Sequence, residues 1–214
     1  MSKPAYLVLE DGSTFRGVPF SSANEAYGEV VFNTSMTGYQ VMLTDPSYAG
    51  QIVVPTYPMI GNYGINKENN ESKEIQVSGF VVRQPCQEPS HRESSSTLTE
   101  FLLAHDIPGI GEIDTRAVTR RIRTHGVMMG AIAINISPEE ALSQLKNITE
   151  YGKVNYVSQV SAVEPYNWTQ SIKNIPQKTP DLKILVSDFG LKYNILRILR
   201  SNGCIVEVFP SDTT

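Results

Sequence analysis

Residues 28–66 read GEVVFNTSMTGYQVMLTDPSYAGQIVVPTYPMIGNYGIN. Short apolar runs at 29–32 and 51–54 predict buried strands, with an amphipathic segment at 39–43 and a turn at 44–48 between them. The connecting loops are rich in small hydroxyl, amide and carboxylate side chains: Asn33, Thr34, Ser35, Thr37, Thr44, Asp45 and Ser47. Such residues either only cap and turn the backbone, or form a binding loop on a rigid strand frame, and both interpretations remain open here.

The composition is that of a globular chain with a proper core. The 214 residues are 40% hydrophobic and 19% charged, which fits one or two domains. A formal net charge of -4 argues against a nucleic-acid partner. No apolar run approaches the roughly 18 residues that span a bilayer, and the N-terminus does not resemble a signal peptide. We therefore expect a cytoplasmic protein with no membrane partner, whose Cys86 and Cys204 are free thiols.

Local patterns predict several strands in the first 150 residues. Residues 6–9 and 14–18 flank Asp11-Gly12 and predict a β-hairpin, because Asp-Gly accepts the positive φ angles of a tight turn. Residues 75–83 alternate and are β-branched, which predicts a further strand. Residues 128–134 (MMGAIAI) predict a buried one.

Three helices are predicted from their end signals. One begins near Ser96 or Thr97. The next is capped by Asp114 and ended by Gly126. The third begins at Ser137, where Pro138 fits the first turn and Glu140 completes a capping box, and runs to about residue 147.

The chain beyond residue 150 changes character. Residues 151–181 lose periodicity and predict an interdomain linker, with Trp168 as its anchor. A strand at 183–188, a helix at 192–201 and a strand at 204–209 then predict a parallel β-α-β unit. We expect its inward-facing helix residues to be Ile195, Ile198 and Leu199.

Two parallel strands cannot bury their own faces. The unit therefore predicts either a fragment or completion by another chain. We expect an exposed sheet edge and exposed apolar faces in residues 183–214, which are poorly ordered or pack on a second copy or on the first domain.

Motifs for catalysis or metal binding are absent from the sequence. His91, His105 and His125 lack ligand spacing, so no metal site is predicted, and His125 is most simply a partner of a helix dipole. Cys86 lacks the flanking glycines of a nucleophile elbow, and Cys204 begins a strand and should be buried and inert. No catalytic residue is assigned within residues 1–214.

One helix carries the densest positive charge in the chain. Its basic residues are Arg116, Arg120, Arg121, Arg123 and His125. These side chains form either a solvated helix face, or an anion site or partner surface, since arginine binds carboxylates well.

Three stretches resemble one known family. GEVVFNTSMTGYQ and LTDPSYAGQIVVPTYPMIGN within residues 28–66, GEIDTRAVTRRIRTHGVMMGAI at 111–132 and DFGLKYNILRILRSNGCIVEVFP at 188–210 are similar to the small, glutamine-hydrolysing subunit of carbamoyl phosphate synthetase. The resemblance implies a mixed α/β fold in three parts. Residues 1–150 are an N-terminal domain with a mixed sheet and helices, 151–181 are the linker, and 182–214 begin a class I glutamine amidotransferase domain of flavodoxin-like fold.

The resemblance also implies a function. The family's small subunit hydrolyses glutamine to glutamate and passes ammonia to a large subunit, which uses ATP and Mg²⁺ to make carbamoyl phosphate for arginine and pyrimidine biosynthesis. It implies that Ser47 contacts L-glutamine, that the Cys-His-Glu triad lies beyond Thr214, and that this chain holds no cofactor of its own. The resemblance favours a partner surface for the basic helix.

Because the triad is expected beyond Thr214, we expect residues 1–214 to be inactive alone. The alternatives are a noncatalytic domain that docks on the large subunit, or a stand-alone small-molecule-binding domain.

Overall fold

The structure is a computed structural model that describes residues 4–173, 175, 179 and 181–214. Its strands are β1 (Ala5–Leu9), β2 (Thr14–Pro19), β3 (Ala26–Asn33), β4 (Gln51–Pro55), β5 (Met59–Ile60), β6 (Gly79–Val81), β7 (Gln84–Pro85), β8 (Gly109–Gly111), β9 (Met128–Ala133), β10 (Tyr166–Trp168), β11 (Leu182–Asp188) and β12 (Cys204–Pro210). Its α-helices are α1 (Tyr39–Thr44), α2 (Leu98–Ala104), α3 (Thr115–His125), α4 (Pro138–Leu145), α5 (Val157–Val160) and α6 (Tyr193–Ser201). None of these helices is long and apolar enough to cross a bilayer.

Seven strands close into a barrel in the order β1-β2-β8-β6-β4-β3-β9. The predicted hairpin is confirmed, with β1 and β2 antiparallel around Gly12 at φ 85°. The two strands of the 28–66 stretch, β3 and β4, are parallel, with Glu29 opposite Gln51. Pairing of β1 with β9, which sets Tyr6 opposite Ala133, completes the ring. The mixed α/β class is confirmed, whereas closure of the sheet into a barrel was not predicted.

The barrel interior is the main core. Apolar side chains of its strands are buried there with Val118 and Ile122 of α3. On the outside, α1 and α2 cover β4 and β6 with a second apolar cluster that includes Phe80 and Leu102. Helix α4 packs through Ala141 on β1 and β9. The barrel is therefore apolar inside and covered by helices on part of its outside.

The predicted helix starts are confirmed. Thr97 and Glu100 form a reciprocal capping box at α2. The Asp114 carboxylate accepts a hydrogen bond from the backbone N–H of Ala117, and Gly126 ends α3 at φ 91°. At α4 the Ser137 hydroxyl accepts from the Glu140 N–H at 3.1 Å, but the predicted capping box is only half formed, because the Glu140 side chain does not accept from the Ser137 N–H.

One predicted strand is mostly wrong. Of residues 75–83, only β6 at 79–81 belongs to the barrel sheet. The preceding backbone is satisfied irregularly, since the Gln76 N–H donates to the Leu43 carbonyl and the Ser78 N–H to the Gln51 carbonyl. These bonds hold Ile75 and Val77 against the second cluster without a continuous ladder.

The second unit is a three-stranded sheet in the order β10-β12-β11. Strands β11 and β12 are parallel, as predicted. The third strand, β10, pairs antiparallel with β12 and comes from the segment predicted to be a linker, so the expectation of a two-stranded sheet is wrong. Trp168 of β10 packs on Tyr193, with ring centroids 4.6 Å apart, which agrees with its predicted anchoring role. Residues 174, 176–178 and 180 of the predicted linker lie outside the described residues, and the limits 151–181 stay a prediction.

The predicted inward positions of α6 are wrong for Ile195 and Ile198 and confirmed for Leu199. Leu196 is fully buried and Leu199 packs beside it, whereas Ile195 and Ile198 are 46% and 44% exposed. Tyr193, Leu196 and Leu199 are spaced by three residues and form the stripe that meets the sheet. The two isoleucines lie outside that stripe.

The far face of this sheet is uncovered. Leu185 of β11 is 63% exposed and Ile205 of β12 is 45% exposed. In the part of the chain that the structure describes, β11 has a strand partner on one side only. The predicted exposed edge and apolar face are confirmed. The unit also packs on the first domain, which is one of the predicted alternatives.

Candidate functional site

Ser47 lies on a short 3₁₀ turn, Pro46–Tyr48, between α1 and β4. The Asp45 carboxylate accepts a hydrogen bond from the Ser47 N–H at 2.9 Å, and Pro46 restricts φ at the first position of the turn. Ser47 is exposed. Its contact with glutamine stays a prediction.

The loop that follows β11 is fixed by the buried Asp188. One oxygen of its carboxylate accepts hydrogen bonds from the N–H groups of Gly190 and Leu191, at 2.9 and 2.8 Å. The other oxygen accepts from the Ala162 N–H at 2.9 Å. This loop occupies the carboxyl end of the parallel strands, which is where open α/β sheets bind their ligands.

The Ser47 turn and this loop are in contact. Gly190 has φ 101°, and a Cβ atom added to it would lie 3.3 Å from Pro46 Cβ and 3.1 Å from Val160 Cγ2. Both the positive φ and the close approach favour glycine at this position. The Ser47 turn therefore lies beside the carboxyl ends of the parallel strands of the second sheet.

An ion pair joins the same two segments. Lys192 Nζ lies 2.6 Å from Asp45 Oδ2, and the Asp45 side chain is only 4% exposed. Burial on the Asp45 side reduces solvent screening of the pair, although Lys192 remains partly exposed. The sequence marks Asp45 only as a turn residue. The role of Lys192 was not predicted, because only its position shortly after a strand and a glycine turn pointed to it.

A second buried contact lies at the first turn of α6. Glu71, 7% exposed, accepts a hydrogen bond from the Asn194 N–H on its carboxylate at 2.8 Å and one from the Tyr193 N–H on its backbone carbonyl at 2.8 Å. Its carboxylate also lies 3.8 Å from Arg197 Nη1. The helix's own N-cap residue, Lys192, makes no side-chain capping bond. A barrel carboxylate therefore caps the helix of the second unit.

A polar cavity of about 930 Å³ opens between the two units next to this contact. Its walls include Gln40 of α1, Tyr63 and Glu71 of the segment between β5 and β6, and Asn194 and Arg197 of α6. Ser47 is not among the lining residues. The cavity and the predicted glutamine contact are thus separate places on the interface between the units.

Burial and the charge of Asp188 raise the pKa of two nearby tyrosines, Tyr166 and Tyr193. Removal from water, and then the negative charge of Asp188, raise the pKa of Tyr166 to about 12. Tyr166 lies on β10, at the edge of the second sheet. It stays neutral well above physiological pH.

The remaining candidates show no catalytic arrangement. Cys204 is buried, as predicted, and the partly exposed Cys86 has its sulfur 3.4 Å from the Glu88 carbonyl. His125 Nδ1 lies 3.0 Å from the Arg121 carbonyl at the end of α3, in keeping with its predicted role. Among the described residues, no three His, Cys, Asp or Glu side chains cluster in a way that could hold a metal ion.

Residues 7–132 match the family model described as carbamoyl-phosphate synthase small chain, CPSase domain. The chain is 46% identical over 220 residues to a carbamoyl phosphate synthase small chain of Nostoc sp., covering 99% of this chain and 57% of the relative. The protein of the same name from Thermosynechococcus vestitus is 48% identical, with 100% and 58% covered. That from Aquifex aeolicus is 44% identical, with 99% and 59% covered.

The chain thus spans a little more than half the length of these curated relatives. Among solved structures, an aminopeptidase from Aneurinibacillus sp. strain AM-1 aligns with a TM-score of 0.38 and 11% identity over 97% of this chain and 48% of that one. Those values are too low to indicate a shared fold.

Proposed function

This chain belongs to the carbamoyl-phosphate synthase small chain family, and we propose that it forms one side of a glutamine site and docks on a synthetase large subunit. The observation that carries the proposal is the contact of the Ser47 turn with the loop after β11. The Ser47 hydroxyl would hydrogen-bond L-glutamine at the domain interface, where ligand sites are common. The Cys-His-Glu triad would come from residues that follow Thr214 in a longer chain.

The proposed reaction divides between two proteins. The amidotransferase part would hydrolyse glutamine to glutamate and release ammonia. The large subunit would bind ATP and Mg²⁺ and use the ammonia to make carbamoyl phosphate. No cofactor is assigned to residues 1–214, whose proposed role is to position glutamine and to bind the large subunit.

The first test is a glutaminase assay on the purified 214-residue chain. We expect no turnover above the buffer blank, because neither cysteine sits in an elbow with a neighbouring base. The double variant C86A/C204A is the control and should behave like the wild type. Turnover that disappears in this double variant would contradict the proposal.

The second test adds a C-terminal part from a relative. The C-terminal part of the Nostoc relative, joined after Thr214, should give a chimera with glutaminase activity. Ser47→Ala in that chimera should raise the KM for glutamine about fivefold and leave kcat nearly unchanged, since one hydrogen bond contributes about 1 kcal/mol to binding. Ser13→Ala, in the β1–β2 turn, is the matched control. An unchanged KM in an active Ser47→Ala chimera would remove Ser47 from the site.

A further inference from the structure

Three arginines share one exposed face of α3. Arg116, Arg120 and Arg123 are spaced by four and three residues, which places them on one side of a helix, and all three are exposed. The buried side of the same helix carries Val118 and Ile122, which pack into the barrel core. The arginine face, defined by these three residues, therefore points away from the barrel.

Within the described chain, the arginine face has no salt-bridge partner. The fourth arginine of α3 does: Arg121 Nε lies 2.6 Å from Asp11 Oδ2. The seven ion pairs of the described residues use none of the three arginines of the face. Three like charges thus lie within one helix face of a chain whose formal net charge is -4. Their mutual repulsion is unfavourable in the isolated chain.

Both ends of α3, which carries the arginine face, are capped. Asp114 caps its first turn, Thr115 is buried, and Gly126 ends it. The next residue, Val127, is 59% exposed, so an exposed apolar side chain directly follows the helix in sequence. Arginine is enriched in protein interfaces.

We propose that the arginine face of α3 docks on a cluster of carboxylates of the synthetase large subunit, an inference that rests on the proposed function. The charge on the face requires an acidic partner. Its length, about 10 Å from Arg116 to Arg123, matches a few carboxylates better than a long polyanion. Nucleic-acid binding usually needs a basic domain, whereas this chain is acidic overall.

The test compares binding of the wild type and of the charge-reversed variant R116E/R120E/R123E to the purified large subunit of the same organism. The matched control is Arg92→Glu, on an arginine that is 88% exposed outside α3. The triple variant should bind about 100-fold more weakly, and the control should bind within twofold of the wild type. Wild-type affinity should also fall as salt rises from 50 to about 300 mM, more steeply than that of R116Q/R120Q/R123Q.

Each outcome has a distinct meaning. If the wild type binds and the folded triple variant binds equally well, the arginine face is overturned while the docking function stands. If the wild type does not bind the large subunit, both are overturned. Salt-sensitive binding of the wild type to a DNA duplex, with none to the large subunit, would identify a nucleic-acid surface instead.

Far-UV circular dichroism verifies that each variant is folded. If R116E/R120E/R123E fails to fold, R116Q/R120Q/R123Q, which introduces no new charge, replaces it.

Discussion

The barrel and the second sheet are built from equally apolar strands, yet they bury them differently. In the barrel each of the seven strands has a partner on both sides, and Leu7, Ile52 and Ile132 are fully buried. In the second sheet α6 covers one face, while Leu185 on the other is 63% exposed. Closing a sheet removes its edges and creates an interior, whereas an open sheet needs cover on both faces. We therefore expect the second unit to be less stable than the barrel and to depend more on the contacts between the two.

The largest expected effect tests that contrast directly with one substitution in each unit. Leu7→Ala removes a fully buried side chain and should lower the free energy of unfolding by about 2–5 kcal/mol. Leu185→Ala should change it by less than about 0.5 kcal/mol, because most of that side chain already faces water. Guanidinium denaturation followed by far-UV circular dichroism measures both. Equal losses would mean that Leu185 is covered in solution.

A smaller effect is expected at the contact between the units. Glu71→Ala removes the cap of α6 and leaves Arg197 without its carboxylate, which should destabilise the second unit by about 1–3 kcal/mol. Trp168, the only tryptophan, lies in that unit, so its fluorescence reports on the second unit rather than on the barrel. We expect the Trp168 transition to move to lower denaturant while the circular dichroism transition moves less.

The control for that experiment is Glu68→Ala. Glu68 pairs with Lys173, but both side chains are 61% exposed, and an exposed pair contributes little to stability. Its Trp168 transition should stay within about 0.5 kcal/mol of the wild type. Equal shifts of both probes in Glu71→Ala would show that the barrel and the second unit unfold together, which would end the distinction drawn between them.

The smallest effect concerns alkaline pH. The pKa of Tyr166 is raised to about 12 in the folded chain, against about 10 when unfolded. Because the folded state holds this proton more tightly, the stability that it contributes is present below pH 10 and is lost as the pH rises towards 12. Because the Tyr166 ring is partly exposed, solvent screening reduces the full linkage value, and the loss should be at most about 1 kcal/mol at pH 11. Tyr166→Phe should abolish this part of the decline in the Trp168 transition between pH 9 and 11, whereas Tyr57→Phe, in the loop between β4 and β5, should retain it.

Features that depend on nearby residues were predictable from the sequence. The caps at Thr97, Asp114 and Ser137 act on N–H groups three residues away, and the hairpin turn is set by Asp11-Gly12. Barrel closure was not predictable in this way, because Tyr6 and Ala133 pair from distant parts of the chain. No short window of sequence carries that information.

The same distinction applies to the candidate site and to α6. The exposed turn that carries Ser47 follows from Asp45-Pro46, so local chemistry predicts it. The pairing of Asp45 with Lys192 and the capping role of Glu71 depend on how the two units pack, which no local pattern reports. The phase of α6 was misjudged because isoleucine and leucine are equally apolar, and only the position of the sheet decides that Leu196 is the buried one.

The cap that Glu71 provides also bears on how a nascent chain folds. Glu71 precedes Asn194 by 123 positions, and the last barrel strand, Met128–Ala133, is synthesised well before α6. A nine-residue helix is too short to persist by itself in water. We therefore expect that on the ribosome, where folding proceeds from the N-terminus, the barrel forms first and α6 becomes helical when it contacts the Glu71 carboxylate.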